Sequence, residues 1–170
     1  VANNTYVAIS TVTVGSGGSA SIEFTSIPAT YTDLLVKLSL RSDQANVYGS
    51  STILLNNSTS NFTYKFVYGE GATAARFGGS TNLSADQNGD SATANTFSSL
   101  DIYIPNYLSS NYKSISQDSV TENNATTAYA ELGALLWSDT AAITSIKLSA
   151  ASTKVWKQYS TATLYGIKNS

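Results

Sequence analysis

Histidine and cysteine are absent from this 170-residue chain, and charge is scarce, with nine lysines and arginines against eleven aspartates and glutamates. Their absence removes an imidazole base, a thiolate nucleophile, disulfides and the usual Cys/His zinc sites. A net charge of −2 provides no basic footprint for nucleic acid or an acidic membrane surface, so neither is expected as a partner. Long hydrophobic runs are missing too. No basic stretch followed by an apolar run is seen near the start, and apolar runs extend only a few residues, so neither a signal peptide nor a membrane span is expected.

What fills the chain instead is polar and uncharged: 27 Ser, 21 Thr, 14 Asn and 11 Gly make up 73 of the 170 residues. Disorder is not the consequence, because 42% of the residues are hydrophobic and 11 Tyr, 5 Phe and 2 Trp can furnish a core. A chain of this length buries roughly 68–70% of its unfolded surface, which suits one domain over residues 1–170.

The dominant pattern is a period of two. Tyr6 to Val14 is a β-rich run that stops at Gly15-Ser16-Gly17-Gly18, and Ala20 to Thr25 follows with Ile22 and Phe24 on one face, predicting a hairpin. Asp33 to Arg41 places Leu34, Val36, Leu38 and Leu40 on one side. Further strands are predicted at Ser51 to Asn56, Phe62 to Tyr68, Ser99 to Ile104, Lys113 to Val120, Ala128 to Trp137, Ile143 to Ser149 and Val155 to Ile167. No segment holds an apolar helical stripe for three turns; the Ala- and Leu-rich stretch from Ala125 to Leu136 is read as strand. About ten short strands predict an all-β, antiparallel β-sandwich, jelly-roll-like, with a closed barrel as the alternative. Gly69 to Phe97, rich in Gly, Ala, Ser, Thr and Asn, is predicted to be one long loop excursion, mobile in the isolated subunit and ordered by a neighbouring subunit in the assembly. Residues 1 to 14 are expected to form an N-terminal arm.

Few residues offer chemistry. Asp86-Gln87-Asn88-Gly89-Asp90 imitates a calcium loop, but Ser91 and Phe97 stand where an EF-hand needs Gly and Glu, so a polar turn is expected and no metal or cofactor. Glu23, Asp101, Glu122 and Glu131 are the acids in or beside strands that a glycoside hydrolase would have to pair across a cleft, whereas alternation ordinarily turns such acids outward. A Ser–Lys nucleophile pair has no specific support. Asn-x-Ser/Thr sequons, as at Asn56 and Asn61, follow from composition.

Aromatics give a clearer signal. Phe62, Tyr64, Phe66 and Tyr68 occupy alternate positions of one strand and therefore one face, which is either buried in the core or a subunit interface, or stacks sugar rings. Tyr103, Tyr107 and Tyr112 surround the Pro105-Asn106 turn, where contact residues are often presented. Arg41 and Arg76, rare cations here, are solvated or anchor a carboxylate across an interface. From these features Tyr64, Phe66, Tyr68, Arg76, Phe77 and Leu83 emerge as interface candidates, with Phe77 and Leu83 as anchors into a neighbour. No catalytic residue is expected.

Two segments resemble structural proteins of tailed bacteriophages. The first is Ile22-Glu23-Phe24-Thr25-Ser26-Ile27-Pro28-Ala29-Thr30-Tyr31-Thr32-Asp33-Leu34 followed by Arg41-Ser42; the second is Ile143 to Leu148 with the ending Tyr159 to Ile167. Together they span about a quarter of the chain. Pro28 fixes a turn after the second strand, Tyr31 caps the core and Asp33 opens the next strand. The resemblance implies a non-enzymatic virion component, made in the host cytoplasm and carried on the capsid exterior or the tail. Its implied partners are the major capsid protein and copies of itself, as a homotrimer decorating the head. The alternative is a tail or head fibre domain that binds host-surface glycans.

Overall fold

The computed structural model describes residues 5–81, 83–124 and 128–168. The period-two runs form strands β1 (Tyr6–Thr13), β2 (Ser21–Phe24), β3 (Asp33–Leu40), β4 (Tyr48–Leu55), β5 (Phe62–Glu70) and β6 (Thr73–Gly79). They continue with β7 (Leu83–Asn88), β8 (Ser98–Ile104), β9 (Lys113–Val120), β10 (Tyr129–Trp137), β11 (Ile146–Ser149) and β12 (Thr161–Ile167). Among the described residues there is no helix, and hence none long and apolar enough to cross a membrane.

Two antiparallel sheets make a β-sandwich: eight strands in the order β1-β12-β3-β8-β9-β10-β5-β6, and four in the order β2-β11-β4-β7. The pairing is nested. First meets last, β1 with β12; then β2 with β11, β3 with β8 and β4 with β7. This is the strand order of a jelly roll, the expected architecture. Two hairpins are inserted into it, β5–β6 and β9–β10, and they join through β10 and β5 to extend the larger sheet beyond β8.

Alternation puts one face of each strand into a shared core. Leu34, Val36, Leu38 and Leu40 of β3 face it, as do Ile53 and Leu55 of β4 and Ile146 and Leu148 of β11, with Trp137, Trp156 and Tyr107 fully buried. The resemblance segment behaves as its residues require. Tyr31 packs over Gly166, where a Cβ would collide with the ring, and Asp33 accepts bonds from the Tyr103 hydroxyl and the Asn106 amide, both 2.8 Å.

The 69–97 segment departs from expectation. Instead of one loop it supplies the end of β5, all of β6 and all of β7, and the long connection that remains is the stretch from Gly89 to Phe97. The expectation weighed side-chain area against chain entropy. It left out the backbone ladders that β6 makes with β5 and β7 makes with β4, which satisfy the main chain without large side chains. Leu83 and Ala85 also enter the core. The residues expected as an N-terminal arm supply β1, paired with β12 from Tyr6 to Thr13 across a bulge between Ala8 and Ser10.

Candidate functional site

On the inner face of the hairpin extension lies the aromatic row. Phe66 stacks on Phe77 of β6 at 4.8 Å, Tyr64 tilts against Phe66 at 5.6 Å, and Tyr68 meets Phe77 and Tyr129 at 5.7 and 5.5 Å. Tyr129 in turn meets Tyr48 of β4 edge-on at 4.4 Å. Close packing is possible because Gly133, opposite Phe66, has no Cβ to strike its ring. The rings therefore tie the inserted hairpins to the jelly roll.

The same face buries two acids. Glu131 of β10 and Asp86 of β7 lie near enough to perturb one another; Ser119 Oγ donates to Glu131 Oε2 at 3.0 Å and Ser50 Oγ donates to Asp86 Oδ1 at 2.7 Å, while Glu131 Oε1 has no hydrogen-bond partner among the described residues. Burial, and then the neighbouring Asp86, push the Glu131 carboxyl up to about 8; burial also raises Asp86. Both side chains are buried, Glu131 6% and Asp86 8% exposed. Asp101 is ion-paired with Lys37, while Glu23 and Glu122 face solvent. No group of three or more His, Cys, Asp or Glu side chains that could hold a metal occurs among the described residues.

The outer face of the extension is unusual for the opposite reason. Strand β10 is apolar on both sides: Tyr129, Leu135 and Trp137 point inward, and Ala130, Leu132 and Ala134 point out. Leu132 is 60% exposed, its cross-strand neighbour Val67 of β5 55%, and Val120 of β9 46%. Arg76 lies beside Val67, and Asp118 beside Leu132. An exposed apolar cluster on a regular sheet is a candidate contact surface.

A second surface lies at one end of the jelly roll, where the β1–β2, β3–β4, β7–β8 and β11–β12 connections converge around a depression of about 550 Å³. Arg41 builds it. Only 6% exposed, its guanidinium donates to the carbonyls of Thr93, Thr96, Asp90 and Ala92 at 2.7–3.1 Å and to Thr96 Oγ1 at 3.3 Å, wrapping the 89–97 connection around one planar cation. The rim carries Asp43, Asn95, Lys157 ion-paired with Asp90, and Tyr159, which is 68% exposed and held at a φ of 73°. Lys157 keeps the Asp90 carboxyl below the usual range. Lys113 does at the far end what Arg41 does here, donating to the carbonyls of Ser109, Asn111 and Ala141 at 2.7–2.9 Å and to that of Asp139 at 3.4 Å; burial pulls its ammonium down.

The six interface candidates from the sequence are thus divided. Phe66 and Leu83, 2% and 1% exposed, belong to this chain's own core, so Leu83 is no anchor into a neighbour. Tyr64 and Tyr68 are half-buried, and Phe77 is spent mainly on Phe66. Arg76 alone of the six sits on the outer face. Arg41 is neither solvated nor reaching across an interface, because its partners lie within the chain. Tyr107 is buried with its hydroxyl on the Pro28 carbonyl, leaving Tyr112 exposed at that turn. Within the calcium-like stretch, Asp86 to Asn88 are strand and the turn starts at Gly89. Sequence reasoning missed Val67, Val120 and Leu132; the available signal was that β10 is apolar in both registers. Comparison with protein families, characterised proteins and solved structures finds no match to this chain.

Proposed function

We propose that this chain is a non-enzymatic structural protein of a bacteriophage virion, a decoration protein that docks on the major capsid protein and on its own copies and stabilises the head. The observation that carries this reading is the outer face of the larger sheet, where Val67, Leu132 and Val120 stand in solvent on a rigid eight-stranded frame. A weakly charged β-sandwich with such a face suits permanent assembly, in which apolar burial and shape replace strong charge. The jelly roll is a fold of capsid and lectin domains, which agrees with the reading but does not by itself specify it. The phage resemblance of the β2–β3 and β11–β12 segments points the same way.

A fibre domain that grips host-surface glycans is the second reading, favoured by the four-loop depression with its projecting Tyr159 and rim of Asn and Asp side chains. Quantitative mass spectrometry of purified particles separates the two. Decoration requires this chain in numbers comparable to the capsid subunit, a fibre role only a few copies per particle, and absence from particles overturns both.

A further inference from the structure

The registers of the eight-stranded sheet align one straight ladder on its outer face, running Arg76 (β6), Val67 (β5), Leu132 (β10), Asp118 (β9), Asp101 (β8) and Lys37 (β3). Lys37 and Asp101 pair with each other, whereas Arg76 and Asp118, both exposed, take part in no ion pair among the described residues. Three strand spacings separate those two, roughly 14–15 Å, so they cannot reach one another. Between them lie the two most exposed aliphatic side chains of the sheet's face, Val67 and Leu132.

We propose that this face binds a second copy of the same chain, about a two-fold axis running between the two faces, parallel to the strands and centred between β5 and β10. The proposal rests on reading the face as an assembly surface and names its partner. That axis reverses the ladder. Arg76 of one copy comes over Asp118 of the other, twice, while Val67 packs on Leu132 between the two ion pairs. The adjacent row, Ala74, Gly69, Ala130 and Val120, is reversed in the same way, so that the projecting Val120 settles over the small Ala74, and Gly69 over Ala130. A positive end opposite a negative end, and large opposite small, is the self-complementarity an isologous contact demands. The perpendicular in-plane axis is disfavoured because it would stack Arg76 on Arg76. A two-fold contact takes the place of the homotrimer expected from sequence.

The test is the mass of the purified full chain in solution, by sedimentation equilibrium over a range of concentration and salt; this readout does not depend on whether the chain is found on particles. A concentration-dependent dimer that weakens with salt is expected. Arg76→Asp and Asp118→Arg should each weaken it about tenfold or more, since each sets like charges face to face, and the double charge swap should restore it. Leu132→Lys should abolish it. Both charged positions are exposed, so unchanged melting of the single variants checks that the fold is intact. A monomer at all concentrations, a trimer, or a double swap that fails to restore the dimer overturns the proposal.

Discussion

Glu131 of β10 and Asp86 of β7 are buried as neighbours between the two sheets, and Asp86 adds to burial in raising the Glu131 carboxyl. Two buried carboxylates side by side repel one another, so the pair is stable only while one of them stays protonated. Glu131 is the one held protonated, its carboxyl pushed up to about 8 from an ordinary value near 4.5. In the unfolded chain the same group ionises near its ordinary value. The folded state therefore binds more protons between pH 4.5 and 8, and the stabilisation is complete below that window and lost as pH rises through it. Chemical denaturation across the window should show stability falling with pH, on the order of 1 kcal/mol per pH unit. Glu131→Gln, which removes the ionisable group at nearly the same size, should flatten the slope and raise stability at pH 8; an unchanged slope would contradict the raised Glu131 carboxyl.

Arg41→Met should loosen one end of the sandwich. It leaves the carbonyls of Asp90, Ala92, Thr93 and Thr96 without their donor, at a cost of about 2–4 kcal/mol. Hydrogen exchange should accelerate across residues 89–97 before anywhere else.

Phe66→Ala removes the centre of the aromatic row and should destabilise by about 3–5 kcal/mol. Gly133→Ala pushes a methyl group into the same ring and should cost about 1–3 kcal/mol. Phe77→Ala should cost less than Phe66→Ala, because Phe77 is 38% exposed. Thermal melting of the three variants checks the ranking.

Deleting residues 72–94 removes β6 and β7, and with β7 an edge of the smaller sheet and the Asp86 side of the acid pair. Expression should yield insoluble or unfolded chain, seen as loss of the β-sheet circular dichroism signal. A folded, soluble deletion product would return the segment to the status of a dispensable loop.

Ten of the twelve strands were legible because their alternation is carried by large side chains, as in Leu34, Val36, Leu38 and Leu40. β6 was hidden because its face is built from Ala75 and Gly79 around a single Phe77. β7 was hidden because Asp86, Gln87 and Asn88 are consecutive polar residues buried on both sides, inside the curl where β7 packs against β5, β8 and β9. The outer face escaped notice for a related reason. Strand β10 is apolar in both registers, and only the partner strands decide that Leu132 turns outward while Leu135 turns in. The row that joins Arg76 to Asp118 depends on register across four strands, which period-two reading of single strands does not contain.

The proposed role as a permanent part of a virion shell is tested by reconstructing intact particles of a phage whose genome carries this sequence. A jelly roll in repeated copies on the capsid exterior is expected, with Val67, Leu132 and Val120 covered by a neighbouring subunit. Particles that lack the chain, or that carry it with this face open to solvent in every copy, would contradict it.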